Sequence, residues 1–233
     1  LKTALVSFSG GQDSTTCLFW ALSHYDCVHT IGFDYGQKNR VELDCRKTIL
    51  QKIKEQFPQL GKKLASDLVV DIRSFGQIAQ SALTGSDQAM GEVGENGLPN
   101  SFVPERNLVF LTYAAARAYL IKAQTIVAGM GQTDFSGYPD CRRDTMDALQ
   151  KALSLGLDQG VEIVTPLMFL TKAQTWKLAE NLGGEALVHF IVENTHTCYE
   201  GDHRHHHDWG YGCGVCPACR LREKGWKEYQ ANH

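Results

Sequence analysis

Apolar residues run along this chain in two alternating rhythms. Short β-rich runs at Leu5 to Phe8, Val28 to Phe33, Leu68 to Ile72, Ile126 to Gly129 and Val161 to Leu167 read as five strands. Between them the apolar positions recur at helical spacing. Ser14 to His24 sets Cys17, Leu18, Ala21, Leu22 and Tyr25 on one face, and Val41, Cys45, Ile49, Ile53 and Phe57 do the same from Arg40 up to Pro58. Asn107 to Lys122 is alanine-rich and predicts a buried helix, and Asp144 to Leu157 predicts another. Thr171-Lys172-Ala173-Gln174 matches a capping box ahead of a helix through Leu182, ended by Gly183-Gly184. Residues 74–105 are polar and glycine-rich and read as irregular or partly helical. Strands alternating with helices predict an α/β fold, a doubly wound, mainly parallel five-stranded sheet with ligands at the carboxyl ends of its strands.

Composition narrows the class. The 233 residues are 43% hydrophobic with a net charge of −3, and no stretch is long or apolar enough to read as a bilayer span or a signal peptide. A cytoplasmic globule follows as the expectation, with no membrane or nucleic-acid partner, since there is no long basic run. A homodimer is compatible with it. The length suits one α/β domain over 1–190 and a small C-terminal appendage over 191–233.

The first strand runs into Ser9-Gly10-Gly11-Gln12-Asp13-Ser14, where the next helix begins. Two glycines let backbone N–H groups approach an anion, and the N-terminus of the helix points its unsatisfied donors at the same spot. Phe8, Ser9, Gly10, Gly11, Gln12, Asp13, Ser14, Thr15, Thr16, Cys17 and Leu18 are therefore the candidate nucleotide site. An ordinary capped strand-to-helix turn has the same composition. The loop lacks the Gly-Lys-Ser/Thr ending of a Walker A motif and the Gly-x-Gly-x-x-Gly of dinucleotide folds. It resembles the PP-loop of the N-type ATP pyrophosphatases, which implies a HUP-like sheet, cleavage of ATP between the α and β phosphates, and transfer of AMP to a substrate oxygen. Asp13 offers a hard oxygen donor for magnesium, and Lys172, at a helix start after a strand, is a candidate phosphate clamp or a solvated lysine.

Cys198, Cys213, Cys216 and Cys219 stand as Cys-x14-Cys-x2-Cys-x2-Cys, whereas Cys17, Cys27, Cys45 and Cys141 are scattered. Four thiolates at this spacing fill a tetrahedral zinc and leave no position for water, which predicts a structural site; an iron–sulfur cluster uses the same ligands. His203 to His207 cannot all face one ion and read as a solvated insertion in the metal loop.

Further segments carry a closer likeness. Phe33-Asp34-Tyr35-Gly36-Gln37, Phe102-Val103-Pro104-Glu105-Arg106-Asn107, Gly131 to Arg142, Thr165-Pro166-Leu167-Met168 and the terminal Cys-Gly-x-Cys-Pro-Ala-Cys-Arg-Leu-Arg resemble the 7-cyano-7-deazaguanine synthase family of queuosine biosynthesis over essentially the whole chain. The resemblance implies that 7-carboxy-7-deazaguanine, ammonia and ATP give a nitrile through an adenylated acid and an amide. It implies ATP and magnesium as requirements, a structural zinc, catalytic roles for Asp13 and Lys172, and substrate contacts from Arg106, Asn107, Gln132, Asp134, Phe135, Ser136, Tyr138 and Asp140. Two positions depart from the family pattern. Glu105 replaces a small residue, and Gln132 replaces a Glu that can take a proton where Gln cannot. Other readings stay open: an enzyme that stops at the amide or uses another amine, a PP-loop tRNA sulfurtransferase, or a zinc-knuckle RNA module using Trp209, Tyr211, Arg220 and Arg222.

Overall fold

The computed structural model describes residues 1–37, 40–85, 92–93, 97–133 and 138–232. Strand β1 (Thr3–Ser7) leads to helix α1 (Gln12–His24), then β2 (Cys27–Asp34), α2 (Val41–Gln56), the short α3 (Pro58–Gly61), β3 (Leu64–Asp71) and α4 (Arg73–Ile78). Helix α5 (Arg106–Leu120), β4 (Thr125–Val127), α6 (Arg143–Gly156), β5 (Glu162–Val164) and α7 (Lys172–Asn194) complete the sheet layer, followed by a hairpin of β6 (His206–His207) with β7 (Gly210–Tyr211) and helix α8 (Pro217–Ala231). The sheet order is β3-β2-β1-β4-β5, all parallel, so the two halves diverge at β1, where such folds open a ligand crevice.

Alternation along the strands divides the interior. Ala4 and Val6 point into one layer with Leu18, Leu22, Ile49, Trp176 and Ile191, whereas Leu5 points into the other with Ile31, Phe33, Leu111, Ile126 and Met146. Helices α1, α2 and α7 cover the first face and α5 and α6 the second.

The five strands match the expectation in number and order, although β5 ends at Val164 and the chain turns at 166–169 rather than staying extended to Leu167; the capping box at Thr171 is present, with both Thr171 and Gln174 side chains bonded to the opposite backbone. Three more elements differ. β3 starts at Leu64, not Leu68; it is an edge strand whose added residues lack an apolar pattern, Leu64 and Asp67 pairing with Val28 and Thr30 of β2 across an irregularity at the largely exposed Ala65 and Ser66. Gly184, at φ +66°, does break α7, but the helix resumes and runs to Asn194, because Leu187, Val188, Phe190 and Ile191 form a buried face that overrides the glycine pair. Helix α8 was not legible from its mixed pattern, yet Trp226 and Tyr229 lie 4.9 and 6.4 Å from the Trp176 ring, within the same core as α1. Among the described residues no helix is long and apolar enough to cross a membrane.

Glu105, the residue just before α5, is exposed with φ +61°. A Cβ makes this left-handed backbone costly, and glycine is the residue that would relieve it. Glu105→Gly is expected to stabilise the fold by about 0.5–1 kcal/mol, the relief of left-handed strain less the entropy glycine adds to the unfolded chain. Urea unfolding of the two proteins checks this, and a less stable glycine variant would contradict it.

Candidate active site

At the carboxyl end of β1 the chain makes a sharp turn that only glycine accommodates. Gly10 has φ +97°, and a Cβ there would lie 2.6 Å from the Glu42 carbonyl oxygen. The Ser14 hydroxyl accepts from the Ser9 and Gly10 N–H groups, both at 3.2 Å, and donates to the Gly11 carbonyl at 3.2 Å. Two backbone N–H groups thus converge on one oxygen, that of the Ser14 hydroxyl, at the N-terminus of α1 where an anion is favoured. Gly11 gives α1 no side-chain cap, and Gln12 has a buried amide with no hydrogen-bond partner among the described residues.

This turn borders a cavity of about 320 Å3, within the range of small-molecule sites. Phe8, Ser9, Gly11, Gln12, Asp13 and Ser14 border it; Thr15, Thr16, Cys17 and Leu18 lie one turn on and are buried in the flank of α1. Lys172 Nζ donates to Asp13 Oδ1 and Oδ2 at 2.9 and 2.7 Å. Lys172 is buried, which excludes the solvated reading. Its approach depends on α8: a Cβ on Gly225 would lie 2.5 Å from Lys172 Cβ.

On the opposite side Arg106 sits among aromatic rings, donating to the Tyr35 hydroxyl at 3.4 Å, with its guanidinium 5.8 and 6.0 Å from the Tyr35 and Tyr138 ring centres. Tyr138 is held by Ser101 at 2.6 Å, and Tyr199 reaches the cavity from the chain that follows α7. Asn107 also borders the space, and its N–H and side-chain amide donate to Asp140 Oδ2 at 3.0 and 2.9 Å. Asp140 is buried behind it. Asp134, Phe135 and Ser136 lie outside the described residues.

The four cysteine sulfurs Cys198, Cys213, Cys216 and Cys219 lie within 4.8 Å of one another. Tetrahedral Zn–S bonds need sulfurs about 3.8 Å apart, so the group fits a four-thiolate ion. This module is also a wall of the cavity: the His196 N–H donates to the Gly10 carbonyl at 3.2 Å, and Thr197, Tyr199 and Ala218 border the space. The histidine run is mostly exposed as expected, although His207 stacks on Trp209 at 4.4 Å and His203 on Tyr211 at 4.3 Å. Trp209 and Arg222, considered for RNA, are buried, with Arg222 donating to the Trp209 and Ile191 carbonyls and to the Thr197 hydroxyl.

Residues 3–230 match the sequence profile of the family described as queuosine biosynthesis protein QueC. The chain belongs to the QueC family. It is 59% identical over 228 residues to a 7-cyano-7-deazaguanine synthase of Caulobacter vibrioides, covering 98% of this chain and 93% of that protein. It is 55% identical over 229 residues to the synthase of Alkalilimnicola ehrlichii, with 98% and 95% covered. Among solved structures, a 4-thiouridine synthetase in complex with RNA and bound ATP superposes with a TM-score of 0.52 at 14% identity, covering 98% of this chain and 50% of that one. At that identity the likeness shows a shared fold alone.

Within this QueC chain, two positions gain meaning from the geometry. Gln132 Oε1 accepts from the Arg143 N–H at 3.1 Å at the start of α6, and its own N–H donates to the Met168 carbonyl at 2.8 Å. Gln132 does not border the cavity. Glu42, which periodicity alone did not single out, does. It lies in the first turn of α2, at the carboxyl end of the strand beside β1, so the crevice rule for doubly wound sheets was the signal available for it. Its Oε1 is 3.3 Å from where a Gly11 Cβ would stand, and it accepts a hydrogen bond from Ser9. Burial raises its carboxyl to about 7, against the lowering by Ser9, Arg106 and Arg46.

That shift makes a stability prediction. Unfolded, Glu42 ionises near its ordinary 4.5 and folded near 7, so in that window the folded protein holds the extra proton and stability falls as pH rises. The variant Glu42→Gln lacks this loss, and its advantage in urea midpoint is expected to grow from about pH 5 to about pH 8. A difference independent of pH would show that ionisation of Glu42 carries no cost.

Proposed function

We propose that this chain is a 7-cyano-7-deazaguanine synthase: it converts 7-carboxy-7-deazaguanine and ammonia to the nitrile, consuming ATP as AMP and pyrophosphate. One observation carries the reading: the phosphate loop and the Arg106 cluster open into a single cavity, so an acid held at one lies beside a nucleotide held at the other.

A carboxylate reacts with ammonia only when its oxygen becomes a leaving group. The turn at Ser9, Gly10 and Gly11 and the N-terminus of α1 hold the polyphosphate, whose oxygens replace the Ser14 and Ser9 hydroxyls as acceptors of the loop N–H groups, with Gln12 turning its unpartnered amide to the nucleotide. Lys172 neutralises charge on the departing pyrophosphate. Asp13, paired with Lys172, would offer magnesium a carboxylate oxygen, and the ion would supply positive charge beside the phosphates. Arg106 binds the carboxylate of the substrate, and Tyr35, Tyr138 and Tyr199 enclose its flat ring system. Gln132 keeps the α6 contact that any side-chain oxygen at that position would make, so completion of the nitrile does not depend on a carboxylate there. Thiol chemistry has no support in the cavity: Cys141 borders it, but burial first and Asp140 second push its thiol up to about 12.

The four cysteines hold a structural zinc. They fasten the 196–199 segment and α8 against the phosphate loop and Lys172. The purified protein is expected to contain about one zinc per chain, and Cys216→Ser to lose both the metal and solubility; metal analysis showing no zinc in a folded protein indifferent to the substitution would contradict this.

With 7-carboxy-7-deazaguanine, ammonium and Mg-ATP, mass spectrometry over time is expected to show the amide rising and falling and the nitrile as the end product, for this chain and for Gln132→Glu alike. Amide that accumulates in this chain and is converted only by the glutamate variant would overturn the reading, as would ADP in place of AMP.

A further inference from the structure

The cavity contains one carboxylate placed between its two halves, and neither phosphate binding nor zinc binding uses it. Glu42 reaches Gly11 with Oε1 on one side and lies in the field of Arg106 on the other. A carboxylate is an odd neighbour for a polyphosphate, because like charges repel. It suits the junction of the two subsites, where the acyl carbon joins the α phosphate and where the incoming nitrogen must shed protons. On the reading of the chain as a nitrile-forming synthase, we infer that Glu42 is the proton acceptor for the nitrogen in both the amide-forming and the nitrile-forming steps.

The chemistry balances on this group. In the first step the ammonia lone pair forms a C–N bond at the acyl carbon of the adenylate, the C–O bond to AMP breaks with its electron pair, and a proton on the now cationic nitrogen passes to the Glu42 carboxylate. In the second step the amide oxygen attacks the α phosphate of another ATP and pyrophosphate leaves. Glu42, having returned its first proton to solvent, takes one proton from the cationic nitrogen to leave the neutral O-adenylated imidate, passes it to solvent, and takes the second as the C–O bond to AMP breaks with its electron pair and the C≡N bond closes. Each turnover thus asks one base, at one place, to work repeatedly on the same nitrogen.

The surroundings keep Glu42 near the operating pH. Arg46 and Cys45 face it from its own helix, Arg106 from α5, Tyr35 from the end of β2 and the Ser9 hydroxyl from the phosphate loop. The cations and the hydroxyl favour the carboxylate while burial disfavours it, leaving a carboxyl near 7, matched to a proton that must move both on and off. Gln132 cannot take this role, since its side chain faces α6.

The test uses the full chain with Glu42→Gln and the conservative Glu42→Asp, measuring acid-dependent exchange of labelled pyrophosphate into ATP without ammonia, and amide and nitrile formation at constant free ammonia across pH. Glu42→Gln is expected to lower amide and nitrile formation by about 100- to 10,000-fold, far more than exchange, and to lose the acidic limb of the kcat profile, with Glu42→Asp recovering part of both. Amide formation by Glu42→Gln at the unmodified rate would overturn the proposal, and so would a parallel loss of exchange and amide, which would make Glu42 a nucleotide-binding group. If the unmodified chain shows no acid-dependent exchange, the synthase reading itself fails; the two failures are read from different proteins.

Discussion

Everything at this site depends on how closely the backbone turns between β1 and α1. Gly10 takes a left-handed conformation against the Glu42 carbonyl, and Gly11 packs between the Glu42 side chain and the His196 carbonyl, each 3.3 Å from where its Cβ would be. Arg46, fully buried, donates to the Phe8 carbonyl at 2.6 Å and pairs with Asp67, so it fixes the last residue before the turn. Gly32 makes room for it, since a Cβ there would lie 2.5 Å from the guanidinium carbon. An anion-binding turn therefore comes with obligatory neighbours: the first turn of α2, a buried arginine and the strand-like 196–199 segment.

The same closeness explains why the four-cysteine module lies beside the phosphate loop. Residues 196–199 follow α7, touch Gly10 through His196 and carry the first cysteine, whereas α8 has the third at its N-cap and the fourth in its first turn. Arg222 ties both to α7 through three hydrogen bonds in the interior. Burial lowers the pKa of this guanidinium to about 10, the cost of keeping a cation where three oxygens need a donor. The cysteine cluster thus secures a wall of the cavity and, through Gly225, the position of Lys172.

What the sequence made legible was local. The strands announce themselves by short apolar runs, the phosphate loop by Ser9 to Ser14, the metal site by Cys-x2-Cys spacing and the start of α7 by Thr171 and Gln174, each a signal contained in a few residues. What it hid is tertiary. The second half of α7 looked terminated by Gly183 and Gly184 because burial of Phe190 and Ile191 is invisible to a pattern that reads glycine as a stop. Lys172 could be solvated or buried until α8 was seen lying over it. Glu42 looked like an ordinary polar residue in the first turn of a helix, and only the packing of α2 against the phosphate loop reveals which way it faces.

The central claim is that the two subsites share one cavity so that oxygen of the acid attacks the α phosphate, and oxygen transfer tests it directly. With the substrate carboxylate labelled in both oxygens with the heavy isotope of oxygen, mass spectrometry of the nucleotide products is expected to find each of the two AMP molecules formed per nitrile carrying one labelled oxygen. Unlabelled AMP, or label in pyrophosphate, would contradict the account.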